Sequence, residues 1–284
     1  PITSAPSTTS PSESPSGPPS ILPSVAPSPP PVVGGAGGDP HFTTWKGNKF
    51  DFHGHCDLVL LHSSGFGGGL GLDIHIRSSP YMTFFSYISD VAIRIGDDVL
   101  EVGNQGKHYI NGVLQTVGAT QDLARFKVSS SRAAKKPRHV YKIHLGGKME
   151  IVMREYKDWI TVSVLHPSHA DFKDSVGLMG SFDEGVWLGR DGISVHKNID
   201  EYGQDWQVRE VDGFLFQTPS AYPERCNLPA TTDKKIRLRR LEESSVTREE
   251  AWSACEAHRM PEEIEDCVND VQISGDLDMA VDEY

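Results

Sequence analysis

Asp39-Pro40-His41 is the tripeptide whose residue types most directly imply bond chemistry. An aspartate carboxyl can attack its own main-chain carbonyl and form a cyclic anhydride. Proline supplies a tertiary amide that leaves readily once its nitrogen is protonated. His41 titrates near working pH and can assist that transfer. The competing reading is a strand-entry turn without chemistry, and it is the one we take. His41, His53, His55 and His62 form a second cluster in sequence, in which His53-x-His55 would share one strand face. Two such imidazoles can seed a hydrolytic metal site. No carboxylate stands at a diagnostic spacing to complete it, and a half-exposed strand tolerates histidine well. The sequence has no G-x-S-x-G, phosphate-binding loop or dinucleotide fingerprint.

Cys56, Cys226, Cys255 and Cys267 are the four cysteines, an even number that allows three pairings. None forms a C-x-x-C pattern, which argues against structural zinc or a redox pair. Composition alone leaves four free thiols open as well.

The elements that must position these groups read as strands and turns. Phe50, Phe52 and Gly54 alternate with Asp51 and His53, after the turn-prone Lys46-Gly47-Asn48. Leu58 to Leu61 is a short apolar run, as in a strand buried on both faces. Alternation recurs over 70–77, 91–95, 99–102, 140–145, 149–153 and 159–165. Gly96-Asp97-Asp98, Asn111-Gly112 and Gly146-Gly147 punctuate these runs as turns. Strands joined by short turns, without helical periods between them, predict an antiparallel β-sandwich. Ser129 to Arg138 reads as an exposed basic loop. Residues 1–37 are rich in Pro, Ser, Thr and Gly, and predict a disordered stalk or linker with potential O-glycan sites. Residues 38–228 form the β domain with its connector. Residues 229–284 predict an acidic helical appendage. Its signals are a helical start at Ile236, Leu238 and Leu241, a capping box at Thr247 and Glu250, and a helix from Pro261 to about Val271.

The chain has 284 residues, room for one large β domain or two smaller ones. A formal charge of −12 argues against a general nucleic-acid binder. No apolar run approaches the roughly 18 residues of a membrane span, and there is no N-x-S/T sequon. The start at Pro1 reads as a processed product or a fragment, so a signal peptide cannot be judged.

Three blocks carry a family likeness. Gly38-Asp39-Pro40-His41-Phe42, with Phe50-Asp51-Phe52 and Gly54-His55-Cys56, resembles the opening of a von Willebrand factor type D domain. Gly177-Leu178-Met179-Gly180-Ser181-Phe182-Asp183 is similar to that family's GLCGNFDG, and Tyr202-Gly203-Gln204-Asp205-Trp206-Gln207-Val208 to its closing FG-x-x-W-x-V. The likeness covers about residues 38–210 and implies a mainly β, extracellular module that works by adhesion or assembly.

The resemblance also implies site residues. Cys56 and Cys226 occupy places that pair in many family members, which leaves Cys255 with Cys267 and an oxidising compartment. Met179 stands where the family has a cysteine, and no cysteine precedes Gly38, so covalent multimers are not expected. A Ca²⁺ site is implied after GLMG, with Ser181, Asp183 and Asp191 as ligands, although Lys46 replaces an acidic position of the family. Some secreted relatives cleave their own GDPH between Asp and Pro, which here would involve Asp39, Pro40 and His41. The expected function is a non-catalytic extracellular module, secreted or at the cell surface, binding a protein or glycan. The alternatives are self-cleavage at Asp39-Pro40, a His-metal hydrolase, and a lipid-carrier component.

Overall fold

The structure is a computed structural model that describes residues 33–38, 40–81, 85–103, 106–132, 138–229, 241, 243–259 and 261–281. Asp39, residues 1–32 and the helical start expected at 236–238 lie outside the described residues.

Two antiparallel sheets share one core. The eight-stranded sheet runs β10 (Gln121–Leu123), β11 (Phe126–Arg132), β12 (Arg138–Gly146), β13 (Met149–Tyr156), β14 (Trp159–Leu165), β1 (Val33–Gly37), β2 (His41–Thr43) and β3 (Lys49–Asp51). The six-stranded sheet runs β4 (Cys56–Ser63), β5 (Leu72–Tyr81), β6 (Phe85–Ile95), β7 (Asp98–Val102), β8 (His108–Ile110) and β9 (Val113–Leu114). Alternation places Ile74, Ile76, Val91 and Ile93 of one sheet, and Ile151, Met153, Val162 and Val164 of the other, in the buried core. The glycine turns close hairpins as expected: Asn111 and Gly112 take φ of 50° and 76° between β8 and β9, the left-handed pair that a two-residue turn requires.

Two expectations need correction. The stalk was drawn to residue 37, yet Val33–Gly37 is a strand between β14 and β2. Its small residues are what the site demands: a Cβ on Gly35 would stand 2.2 Å from the Val162 carbonyl oxygen. A composition that reads as linker is here a tight backbone approach. Likewise, 129–138 is not an exposed loop along its length. Ser129–Arg132 completes β11, Arg138 opens β12, and Ser130 and Arg138 are buried.

Short helices sit at the margins: α1 (Phe66–Gly69), α2 (His169–Phe172), α3 (Ile199–Asp205), α4 (Arg248–Glu256) and α5 (Ile264–Ser274). The connector after residue 208 crosses the face of the six-stranded sheet away from the core. There Leu215 and Phe216 cover Ala92, and Arg77 bonds both Asp57 and Thr218. The Thr247–Glu250 capping box starts α4. Ala251, Cys255, Ile264, Val268, Val271 and Ala280 make a separate small apolar cluster that includes no residue of either sheet. Among the described residues no helix is long and apolar enough to cross a membrane.

Candidate functional site

The three sequence blocks, far apart in the chain, meet at one place. The Trp45 amide donates to the Met179 carbonyl at 3.1 Å, and its indole N–H reaches Ser175 Oγ at 3.2 Å. The buried Tyr202 hydroxyl donates to the Gly177 carbonyl at 2.7 Å, and the Trp206 indole to the Leu188 carbonyl at 3.0 Å. Phe50 stacks on Phe42 and meets Trp187 and Tyr202 edge-on. Such ring pairs add to the stabilisation from burial. The motifs are therefore explained first as a packing junction.

One of the two disulfides borders this junction. Cys56, at the start of β4, is bonded to Cys226 at the end of the connector, with Cα atoms 4.9 Å apart. Cys255 of α4 is bonded to Cys267 of α5, with Cα atoms 6.0 Å apart. No cysteine is left free. Both sulfurs of the first bridge are buried, and it is flanked by the paired backbones of His55 and Asn227.

Asp183 and Asp191, calcium ligands inferred from the resemblance, have other partners in this structure. Asp183 faces His169 Nε2 at 3.2 Å. Asp191 turns onto its own loop, accepting from the Ser194 hydroxyl and from the amides of Ile193 and Ser194, and these bonds hold its carboxyl at about 2. Ser181 Oγ has no hydrogen-bond partner among the described residues. The stem of Lys46 lies over Gly185, within 2.5 Å of where a side chain there would begin. Calcium needs roughly six to eight oxygens. Among the described residues no group of three or more His, Cys, Asp or Glu is gathered for a metal. The histidine pair is also split. His55 is buried against Tyr222 and Asn227, and His53 packs edge-on to Phe85. Burial lowers the pKa of His55, so it is not the half-exposed strand histidine expected.

At the GDPH block, Pro40 is buried and His41 sits between two carboxylates. His41 Nδ1 lies 2.7 Å from Asp51 Oδ1, and Nε2 lies 3.4 Å from Asp270 Oδ1. Burial pulls the His41 pKa down, but Asp270 and then Asp51 outweigh it, so the ring is held well above the usual histidine value. Asp270, on α5, is a partner that sequence reading missed. Nothing local marks it except that Asp266 and Asp270 are four apart and so share one helix face.

A charged cluster around residues 190–212 was also missed. Arg190 bonds Asp212 at 2.7 Å and stacks on Trp206. Asp205 accepts from the Arg190 amide at 3.0 Å, and lies 3.2 Å from His196 and 3.1 Å from Arg209. Beside it opens a cavity of about 410 Å³ lined by Gln204, Val208, Arg209, Phe214 and Arg225, with Phe214 itself 68% exposed. No protein-family model and no curated protein matches the chain.

Proposed function

We propose that this chain is an extracellular, non-catalytic adhesion or matrix-assembly module of the von Willebrand factor type D kind. The observation that carries the reading is the Cys56–Cys226 bridge between the first motif and the end of the connector. Such crosslinks form and persist in oxidising compartments. The meeting of all three motifs in one aromatic junction supports the family likeness, because Phe50, Gly177, Tyr202 and Trp206 from the three motifs have defined partners there. With all four cysteines in intrachain bridges, none remains to link copies covalently. The partner is an extracellular protein or glycan, and the open cavity beside Phe214, with Arg209 and Arg225 on its wall, is where its contacts are sought first.

The test is direct. Protein made through a secretory pathway is mapped under non-reducing conditions and screened against immobilised matrix proteins and glycan arrays. Both bridges, together with binding weakened by Phe214→Ser and Arg225→Glu, support the reading. Four free thiols, or a folded protein that binds nothing on either screen, overturn it.

The self-cleaving alternative has one observation on its side. His41, next to Pro40, has a carboxylate at each ring nitrogen. Intact mass followed over days at mildly acidic and neutral pH decides it. Fragments beginning at Pro40, lost in Asp39→Asn, establish cleavage; their absence at both pH values removes it.

A further inference from the structure

We propose that His41 is a proton-dependent latch that holds the C-terminal helical unit on the eight-stranded sheet, and that losing its proton releases the unit.

The geometry begins with register. His41 on β2 pairs directly with Asp51 on β3, and α5 brings Asp270 to the other side of the ring. A neutral imidazole can still hydrogen-bond Asp51 through Nδ1, but only the imidazolium places a positive charge against both carboxylates. Beside this trio, Lys49 meets Asp266 at 2.7 Å. Lys49 and Asp51 are two apart on a strand, whereas Asp266 and Asp270 are four apart on a helix. The two spacings match, so the β2–β3 pair and one helix face align two cations with three carboxylates. If the ring becomes neutral, the positive charge that lies between Asp51 and Asp270 is lost, and with it the attraction of both carboxylates to the ring.

The unit can leave intact. It has its own apolar cluster and its own disulfide. Elsewhere on the sheet Tyr156 and Lys157 bond Asp276, and Arg138 donates to the Asp278 carbonyl. Asp270 also closes over the turn into β2, since a Cβ on Gly38 would stand 2.2 Å from Asp270 Oδ2. Release therefore bares the Gly38 backbone.

The sign follows from the raised His41 pKa. Such a group contributes its full stabilisation below about 6.5, the unfolded value. The contribution is lost as pH rises through the folded value. The unit is docked in acid and near neutrality and is released on the alkaline side.

Hydrogen exchange of the full chain from about pH 6 to pH 9 tests this, with amides of β13 and β14 as the internal reference that cancels the intrinsic pH effect. Relative protection of α5 and β2 is expected to fall as pH rises in the parent. His41→Gln should be unprotected there at every pH, with exchange faster by about tenfold for each unit of His41 pKa shift that is lost. Asp270→Asn should flatten the pH dependence, and His41→Gln with Asp270→Asn should regain protection over His41→Gln alone. The latch is refuted by pH-independent protection in the parent, by parent-like protection in His41→Gln near pH 6, or by a double variant no better than the single one. Should His41→Gln unfold the reference strands, the pH profile of Asp270→Asn decides: a slope equal to the parent's overturns the proposal.

Discussion

Gly203 shows how little room single residues leave at the motif junction. A Cβ there would lie 2.4 Å from two atoms of the fully buried Phe52 ring. Gly203→Ala must push α3 away from the core or the ring out of place, and overpacking of this kind costs about 1–3 kcal/mol. Urea unfolding is expected to show a lower midpoint with an unchanged slope; an unmoved midpoint would mean the junction yields freely. His75 makes a pH-dependent case. It is fully buried on β5, neither ring nitrogen has a hydrogen-bond partner among the described residues, and burial lowers its pKa to about 4. The unfolded chain binds this proton near pH 6.5 while the folded chain refuses it until about pH 4. Stability at this residue is therefore complete above about 6.5 and is lost as pH falls towards 4. His75→Leu should lose less stability between pH 7 and pH 5 than the parent does. Equal losses would place the acid sensitivity elsewhere. His108, also buried and also lowered by burial, adds in the same direction. His62 opposes them, raised by its bond to Asp73.

Elements that look alike in sequence are held by different forces. The sheets rest on a continuous apolar core, whereas α4 and α5 rest on a small cluster, one crosslink and a row of carboxylates. The Cys255–Cys267 bridge spans 12 residues. In the chain-entropy model a loop near this length contributes about 3 kcal/mol, a large share of what so small a cluster can supply. Replacing both cysteines by serine should abolish amide protection in α4 and α5 while β4–β6 and β12–β14 keep theirs. Loss of protection in the sheets as well would show that the unit is integral to the domain.

For the molecule as a whole, the calcium question turns on what occupies the loop after GLMG. Lys46 lies over Gly185, and Asp183 and Asp191 are committed to different neighbours. A ligand that binds only the native state raises the unfolding midpoint by mass action. Calcium added to chelator-treated protein is therefore expected to leave the midpoint unchanged. A rise that Asp183→Ala removes would reinstate the site. The −12 charge has a specific address too. Asp266, Asp270 and Asp276 face Lys49, His41 and Lys157 on the sheet, so part of the acidity of the helical appendage is paired with sheet cations.

Patterns of period two and turn pairs such as Asn111-Gly112 and Gly146-Gly147 were sufficient for the strands, because each is a local property of a pleated chain with one buried face. The Thr247 capping box and the apolar face of Ile264, Cys267, Val268 and Val271 were legible for the same reason: neighbours in sequence are neighbours on the helix. Val33–Gly37 was not, since its small residues have meaning only when β14 and β2 lie against them. His41 could be singled out from its place beside Pro40, but its charge could not. That is set by Asp51, ten residues away, and by Asp270, which only the return of the chain's far end brings to the ring. Local sequence determined which segments pair as strands or coil as helices. Tertiary structure alone decided which charges share a low-dielectric space, because electrostatic energy depends on distance through the fold and not along the chain.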